Sequence, residues 1–234
     1  MHLPDSALQM ISYYRRNGFW ATWWHAAVYL WRTVFQTERV LLCCDLQRAG
    51  VALSSSRLPG QLTIERLRSL DEIGEADWRK IESTRTPAIC HRVFAERFKK
   101  GASLWLARCD GNPAGYGWTL SCGSVEGRYY PADGKDVHLF EFLVFPEYRG
   151  LRINSLLVNH ITSQLATEGR VHAYLEVAQW NKSGLNSYRR TSFRPLGISK
   201  QGLLRRRRLV KWIDPEGVHP ECSQQDVAVR TRPA

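Results

Sequence analysis

The stretch from Glu141 to Asn154, EFLVFPEYRGLRIN, constrains this chain more than any other. An apolar run of strand length ends at Pro146, a turn follows, and from Gly150 to Thr167 apolar residues recur at helical spacing. A strand that feeds straight into a helix leaves the first helical N–H groups without intrahelical acceptors, and the helix dipole reinforces them. Arg149, Gly150, Leu151, Arg152, Ile153 and Asn154 can therefore cradle an anion such as a pyrophosphate. The plainer alternative is a turn that needs Gly150 and leaves Arg149 solvated.

The order of elements around this segment is regular. Gln61 to Leu67 alternates as a strand does, and Ser69 with Glu72 predicts a capping box for a helix running through Ile81. A second helix is expected after Pro87. Strands at Ser103 to Arg108 and Gly115 to Leu120 flank Asp110-Gly111-Asn112-Pro113, which is strong turn chemistry. Val137 to Phe145 reads as a strand, Gly150 to Thr167 as a helix, Val171 to Val177 as a strand and Lys182 to Arg190 as a helix. A basic strand from Leu203 to Ile213 closes the series. This order predicts an α/β (α+β) fold in which a mixed sheet carries helices on its faces.

The Glu141–Asn154 segment resembles the cofactor-binding motif of the GNAT superfamily of N-acetyltransferases, in which a strand ending Val-x-Pro leads to Arg/Gln-x-x-Gly-x-Gly/Ala. Val177-Ala178-Gln179-Trp180-Asn181, onward to Tyr188 and Phe193, resembles the family's next motif. The resemblance spans roughly residues 60–213, including Gly115-Tyr116-Gly117. One departure is plain: Arg152-Ile153-Asn154 stands where the family has Gly-x-Gly or Gly-x-Ala, so a side chain at 152 crowds a phosphate or adds a charged contact to it.

The resemblance implies a GNAT-like domain that uses acetyl-CoA as co-substrate and no metal. It implies that the backbone at Leu143 and Val144 holds the pantetheine arm and thioester oxygen, and that Asn181 contacts the arm or caps a helix. Tyr188 would protonate the departing thiolate. An amine must attack in its neutral form, so a base is needed, and Glu141, between Phe140 and Phe142, is the candidate. His138 and Glu176 are reserves; on a regular strand His138 and Glu141 face opposite ways unless a bulge intervenes. The implied reaction is direct transfer of acetyl to a primary amine on a small molecule or peptide within a ternary complex. The loop from Cys122 to Asp136, with Tyr129 and Tyr130, is expected to face that acceptor.

Composition bears on the competing classes. A net charge of +11 suits an anionic partner without choosing among nucleic acid, acidic lipid and a phosphorylated co-substrate. Arg205 to Arg208 is the one dense basic run, and on a strand its side chains alternate between faces, which fits an exposed edge strand better than an RNA-reading groove. A CoA-binding scaffold or regulator without catalysis is the other alternative. Six cysteines include no C-x-x-C pair, so reduced thiols in a cytoplasmic protein are expected.

The division expected is an aromatic-rich helical extension over 1–47 ending in a short strand, a linker over 48–59, the acetyltransferase domain over 60–213 and a polar tail over 214–234. Trp20, Trp24, Ala27, Trp31 and Val34 fall on one side of a helix in the extension. That face is expected to dock on the core or on a second copy of the chain, and peripheral contact with a membrane through residues 5–36 is the alternative.

Overall fold

The computed structural model describes residues 38–48, 61–84, 87–125, 129–201, 207–213 and 229–230, with Trp20, Trp23, Trp24, Ala27, Val28 and Trp31 in addition. The first helix expected in the extension, nearly all of the linker, the tail apart from Val229 and Arg230, and Arg205-Arg206 lie outside these residues.

Nine strands form one sheet among the described residues: β1 (Glu38–Asp45), β2 (Leu62–Leu67), β3 (Ser103–Cys109), β4 (Asn112–Ser121), β5 (Val137–Val144), β6 (His172–Ala178), β7 (Arg194–Gln201), β8 (Arg207–Trp212) and β9 (Val229–Arg230). Four helices between residues 75 and 188 accompany them: α1 (Glu75–Glu82), α2 (Pro87–Lys99), α3 (Ile153–Thr167) and α4 (Lys182–Tyr188). The strand order is β2-β3-β4-β5-β6-β1-β7-β8-β9. Every pairing is antiparallel except β5 with β6. The mixed sheet flanked by helices is the fold expected from the sequence.

β1 is the main surprise. It was expected to close an extension in front of the domain, yet it lies inside the sheet, with Leu41 opposite Glu176 on β6 and opposite Gly197 on β7. Leu41, Leu42, Cys43 and Cys44 are all buried. A run that is apolar on both faces is what an interior strand requires. β8 is likewise no bare edge, because β9 pairs with it at Arg207 and Arg208.

α3 covers one face of the sheet, burying Ile153, Leu157, Val158, Ile161 and Leu165 against Trp105, Leu139, Leu175 and Leu42. α1 and α2 cover the other face over β3 and β4, where Ile81 and Phe94 meet Leu104, Leu106, Tyr116 and Trp118. α1 begins later than the Ser69-Glu72 pair suggests. Glu72 does accept from Ser69 Oγ at 3.3 Å and from the Arg68 N–H at 2.8 Å, but it clamps a turn. Gly74 is the N-cap, and Asp77 three residues on accepts back from its N–H. Asp77 also receives both Arg108 nitrogens, at 2.9 and 3.1 Å.

The rest of that second face is closed by the end of the loop expected to face the acceptor. Tyr129 and Tyr130 are instead buried, packed with Leu41, Cys43, Tyr174 and Leu196. Tyr129 donates to Ser199 Oγ at 3.0 Å, and the Tyr130 hydroxyl sits 2.7 Å from His138 Nδ1. Aromatic side chains with a satisfied hydroxyl make such a lid stable.

Trp20, Trp23, Trp24, Ala27, Val28 and Trp31 are helical. The four indoles are 57–79% exposed, so the expected docking of this face on the core is not what the structure shows.

Candidate active site

The site begins with a bulge. β4 and β5 pair in register from Ser121–Val137 to Trp118–Phe140, then resume at Tyr116–Leu143, so Glu141 and Phe142 stand opposite the single residue Gly117. Glu141 has φ +50°, outside the ordinary strand region. An extra residue sharpens the local twist and bends the strand that carries it. β5 pairs with β6 only over Val137–Leu139 and Ala173–Leu175, and beyond Leu139 the two strands part.

Two glycines permit this. A Cβ on Gly117 would stand 2.3 Å from the Phe142 ring, and one on Gly115 would stand 2.7 Å from the Leu143 carbonyl oxygen. Neither contact is tolerable, so a side chain at 117 would have to displace the Phe142 ring, and one at 115 would have to displace the β5 backbone.

The gap between β5 and β6 widens into a cleft of about 850 Å³. Its walls are Leu139 to Val144 on β5, Leu175 to Ala178 on β6, the turn into α3 and the inner side of α4. Leu143, Val144, Arg149, Gly150, Arg152, Ile153, Asn154, Asn181, Glu141 and Tyr188 all line it. Leu151 is half-buried and packs on the α3-side core. Residues of the two separate motifs thus line one cavity.

The turn into α3 uses two left-handed residues, Gly150 at φ +85° and Arg152 at φ +62°. α3 starts at Ile153 with Arg152 as its N-cap, three residues later than the Gly150 start suggested by the sequence. The left-handed region suits glycine and strains an arginine, which is the physical content of the departure at 152. Leu156 is the first amide to bond back into the helix, to the Arg152 carbonyl at 3.1 Å. The amides of Ile153, Asn154 and Ser155 precede it and have no intrahelical acceptor. Asn154 Nδ2 donates to Ser187 Oγ at 2.8 Å, while its buried Oδ1 has no hydrogen-bond partner. Arg149, Arg152 and Arg190 bring positive charge to this end of the cleft.

On α4, Asn181 is the N-cap and accepts from the Gly184 N–H at 3.0 Å. Tyr188 is buried, edge-on to Phe142 at 6.4 Å and to Phe193 at 6.1 Å. Burial pushes its phenol up to about 12, against a smaller opposing effect of its hydrogen bond with Asn154, so the hydroxyl keeps its proton at neutral pH.

The bulge also settles what the Glu141 carboxylate meets. Phe140 and Leu143 both face the α1/α2 side, and the Glu141 carboxylate between them takes a charge-assisted hydrogen bond from Arg97 on α2. That guanidinium lies 5.1 Å from the Trp118 ring centroid and 5.2 Å from that of Phe140. Arg97 is a partner absent from the sequence reading; one of several basic residues on a helix gives no signal of the carboxylate it will meet. Glu176 lines the cleft from β6 and stands 3.8 Å from Arg39. His138 is outside the cleft lining. Burial holds its imidazole down at about 4.

Among the described residues no cluster of His, Cys, Asp or Glu is arranged to hold a metal ion. The donor set at the turn into α3 fits a diphosphate: amides without intrahelical acceptors and flanking guanidinium groups.

The model of the acetyltransferase (GNAT) family matches residues 67–193. No curated protein matches the chain. Among solved structures, a GCN5-related N-acetyltransferase from Kribbella flavida is similar at TM-score 0.45 and 16% identity, over 68% of this chain and 54% of that one. An acetyltransferase of the same family from Novosphingobium aromaticivorans gives 0.44 and 18%, over 69% and 61%. A conserved protein of unknown function from Staphylococcus epidermidis gives 0.49 and 12%, over 69% and 58%. The chain spans between about half and three fifths of the length of these structures.

Proposed function

The chain belongs to the acetyltransferase (GNAT) family, and we propose that its chemistry is acyl-CoA-dependent acetyl transfer, moving acetyl from acetyl-CoA to a primary amine by direct attack. The observation that carries this reading is the parting of β5 from β6 beside the amide-rich start of α3, which gives one cleft with a cationic end and an apolar throat.

Arg149, Arg152 and the first amides of α3 would hold the diphosphate, and the exposed edge of β5 at Leu143 and Val144 would hold the pantetheine arm. Acetyl-CoA supplies an activated carbonyl and a thiolate leaving group. A β5 N–H directed at the carbonyl oxygen would stabilise the charge that develops there. Tyr188, protonated and on the cleft wall, would hand a proton to the sulfur. Asn181 acts through structure, capping α4 and so fixing Tyr188.

Glu141 would accept the proton lost by the amine, with Arg97 fixing the carboxylate. One observation favours a second assignment: the hold of Arg97 on Glu141 competes with that role, and Glu176 lines the cleft from the opposite strand. The acceptor is a small-molecule or peptide amine. Calorimetry with acetyl-CoA, with a thiol-release assay against an amine library, tests the reading. One-to-one binding and amine-dependent thiol release are expected; no binding at millimolar acetyl-CoA defeats it, and binding without release on any amine defeats catalysis.

A further inference from the structure

We propose that the segment around Trp20 to Trp31 seats this protein on an anionic lipid surface. At 100° per residue, Trp20, Trp23, Trp24 and Trp31 fall in a sector about 100° wide on one side of a helix. In the structure these indoles are 79%, 57%, 68% and 57% exposed. A ridge made of tryptophan has the composition of a helix that lies at the water–hydrocarbon boundary, where the ring is buried and the N–H stays hydrated.

Charge identifies the surface. From Ser6 to Thr37 the sequence holds no Asp or Glu, while Arg15, Arg16 and Arg32 flank the tryptophans, and the whole chain carries +11. Nothing in this stretch repels an anionic headgroup, and each nearby arginine adds attraction. The uncharged run from Phe19 to Trp31 is shorter than the roughly 20 residues a spanning helix needs. Among the described residues no helix is long and apolar enough to cross a membrane. A helix lying in the interface is the arrangement left by these lengths.

The consequence for the catalytic unit is proximity. Trp31 is followed closely by Glu38, the first residue of β1, which is an interior strand of the sheet. The intervening chain reaches at most about 25 Å when fully extended. A seated helix would hold the sheet close to the bilayer, within reach of amines displayed at its surface.

The test uses the full chain with large unilamellar vesicles, either of phosphatidylcholine alone or with about one third phosphatidylglycerol. Co-sedimentation with the phosphatidylglycerol vesicles is expected at low salt, weakening as salt rises, with a blue shift in tryptophan emission. The combined variant Trp20→Ser, Trp23→Ser, Trp24→Ser, Trp31→Ser should partition more than about tenfold less and lose the blue shift, while its circular dichroism and melting stay unchanged. Arg15→Glu, Arg16→Glu, Arg32→Glu should erase the preference for phosphatidylglycerol. The proposal is overturned if the native chain ignores phosphatidylglycerol vesicles, or if the tryptophan variant binds them as well as the native chain does. It is equally overturned if the ridge instead holds two copies together: a dimer in sedimentation that the tryptophan variant dissolves, without vesicle binding.

Discussion

The Phe142 ring lies directly over Gly117, so that a Cβ on the glycine would fall 2.3 Å from it. The contact locks the bulge that turns β5 away from β6, which makes an absent side chain on β4 a determinant of the cleft.

Gly117→Ala should therefore cost about 1–3 kcal/mol of stability, as overpacking does, and weaken acetyl-CoA binding more than a remote substitution of equal cost. Adding Phe142→Ala should recover stability without recovering binding. Denaturant unfolding and calorimetry on the two variants check this.

The Arg97–Glu141 pair should show coupling. Removing Arg97 alone, as Arg97→Met, leaves a half-buried carboxylate beside aromatic rings and should destabilise more than Arg97→Met combined with Glu141→Gln. Glu141→Gln should lower kcat far more than it changes acetyl-CoA affinity, with partial recovery at high pH as the amine deprotonates itself. Unchanged turnover would pass the role to Glu176, tested by Glu176→Gln.

Arg152→Gly separates strain from charge. Relief of the left-handed arginine should raise stability by up to about 1 kcal/mol, and loss of its cation should weaken acetyl-CoA binding and flatten the salt dependence. A melting curve and a titration at two ionic strengths read the two effects apart.

His138 should make the fold acid-sensitive. Its imidazole is held near 4 by burial, below the ordinary 6.5, so the unfolded chain takes up a proton that the native state refuses. Stability from keeping it neutral is present above 6.5 and is lost as the pH falls toward 4, by on the order of 3 kcal/mol. His172 runs the other way. Its hydrogen bond to Asp136 raises it, against a smaller effect of burial, so its contribution is full below 6.5 and fades as the pH climbs through the raised value. Urea midpoints between pH 5 and 7.5 should slope less in His138→Gln and more steeply toward acid instability in His172→Gln.

Truncation should discriminate between two parts of the N-terminal region. A chain lacking residues 1–36 keeps β1 and should fold and bind acetyl-CoA. A chain lacking 1–47 loses an interior strand, leaves the edges of β6 and β7 unpaired, and should aggregate. Size-exclusion chromatography of the two distinguishes them.

Most of the core was legible because its signals are local: alternation in β2, turn chemistry at Asp110-Gly111 between β3 and β4, and a Pro turn running into α3. The placement of β1 was not, because pairing partners distant in the chain leave no local trace, and the Ser/Gly/Pro-rich stretch after Arg48 reads as a boundary. Its run of Leu41, Leu42, Cys43 and Cys44 carried the missed clue, since a strand without alternation needs cover on both faces. The site residues were legible as two motifs. The bulge at Glu141 was not, because it depends on Gly117 and Phe142 meeting across strands. Tyr129 and Tyr130 looked like acceptor contacts until burial showed them to be a lid.

The place of β1 also sets a timetable. Leu41 pairs with Glu176 and Gly197, so a strand made early on the ribosome waits for partners made late. The half of the sheet from β2 to β5 can form as it emerges, whereas β6, β1 and β7 close together only after β7 has been made. Such high contact order slows folding and keeps an apolar strand exposed during synthesis. The newborn protein is therefore most vulnerable to misassociation in its first strand, and a chaperone or an early docking surface would act there.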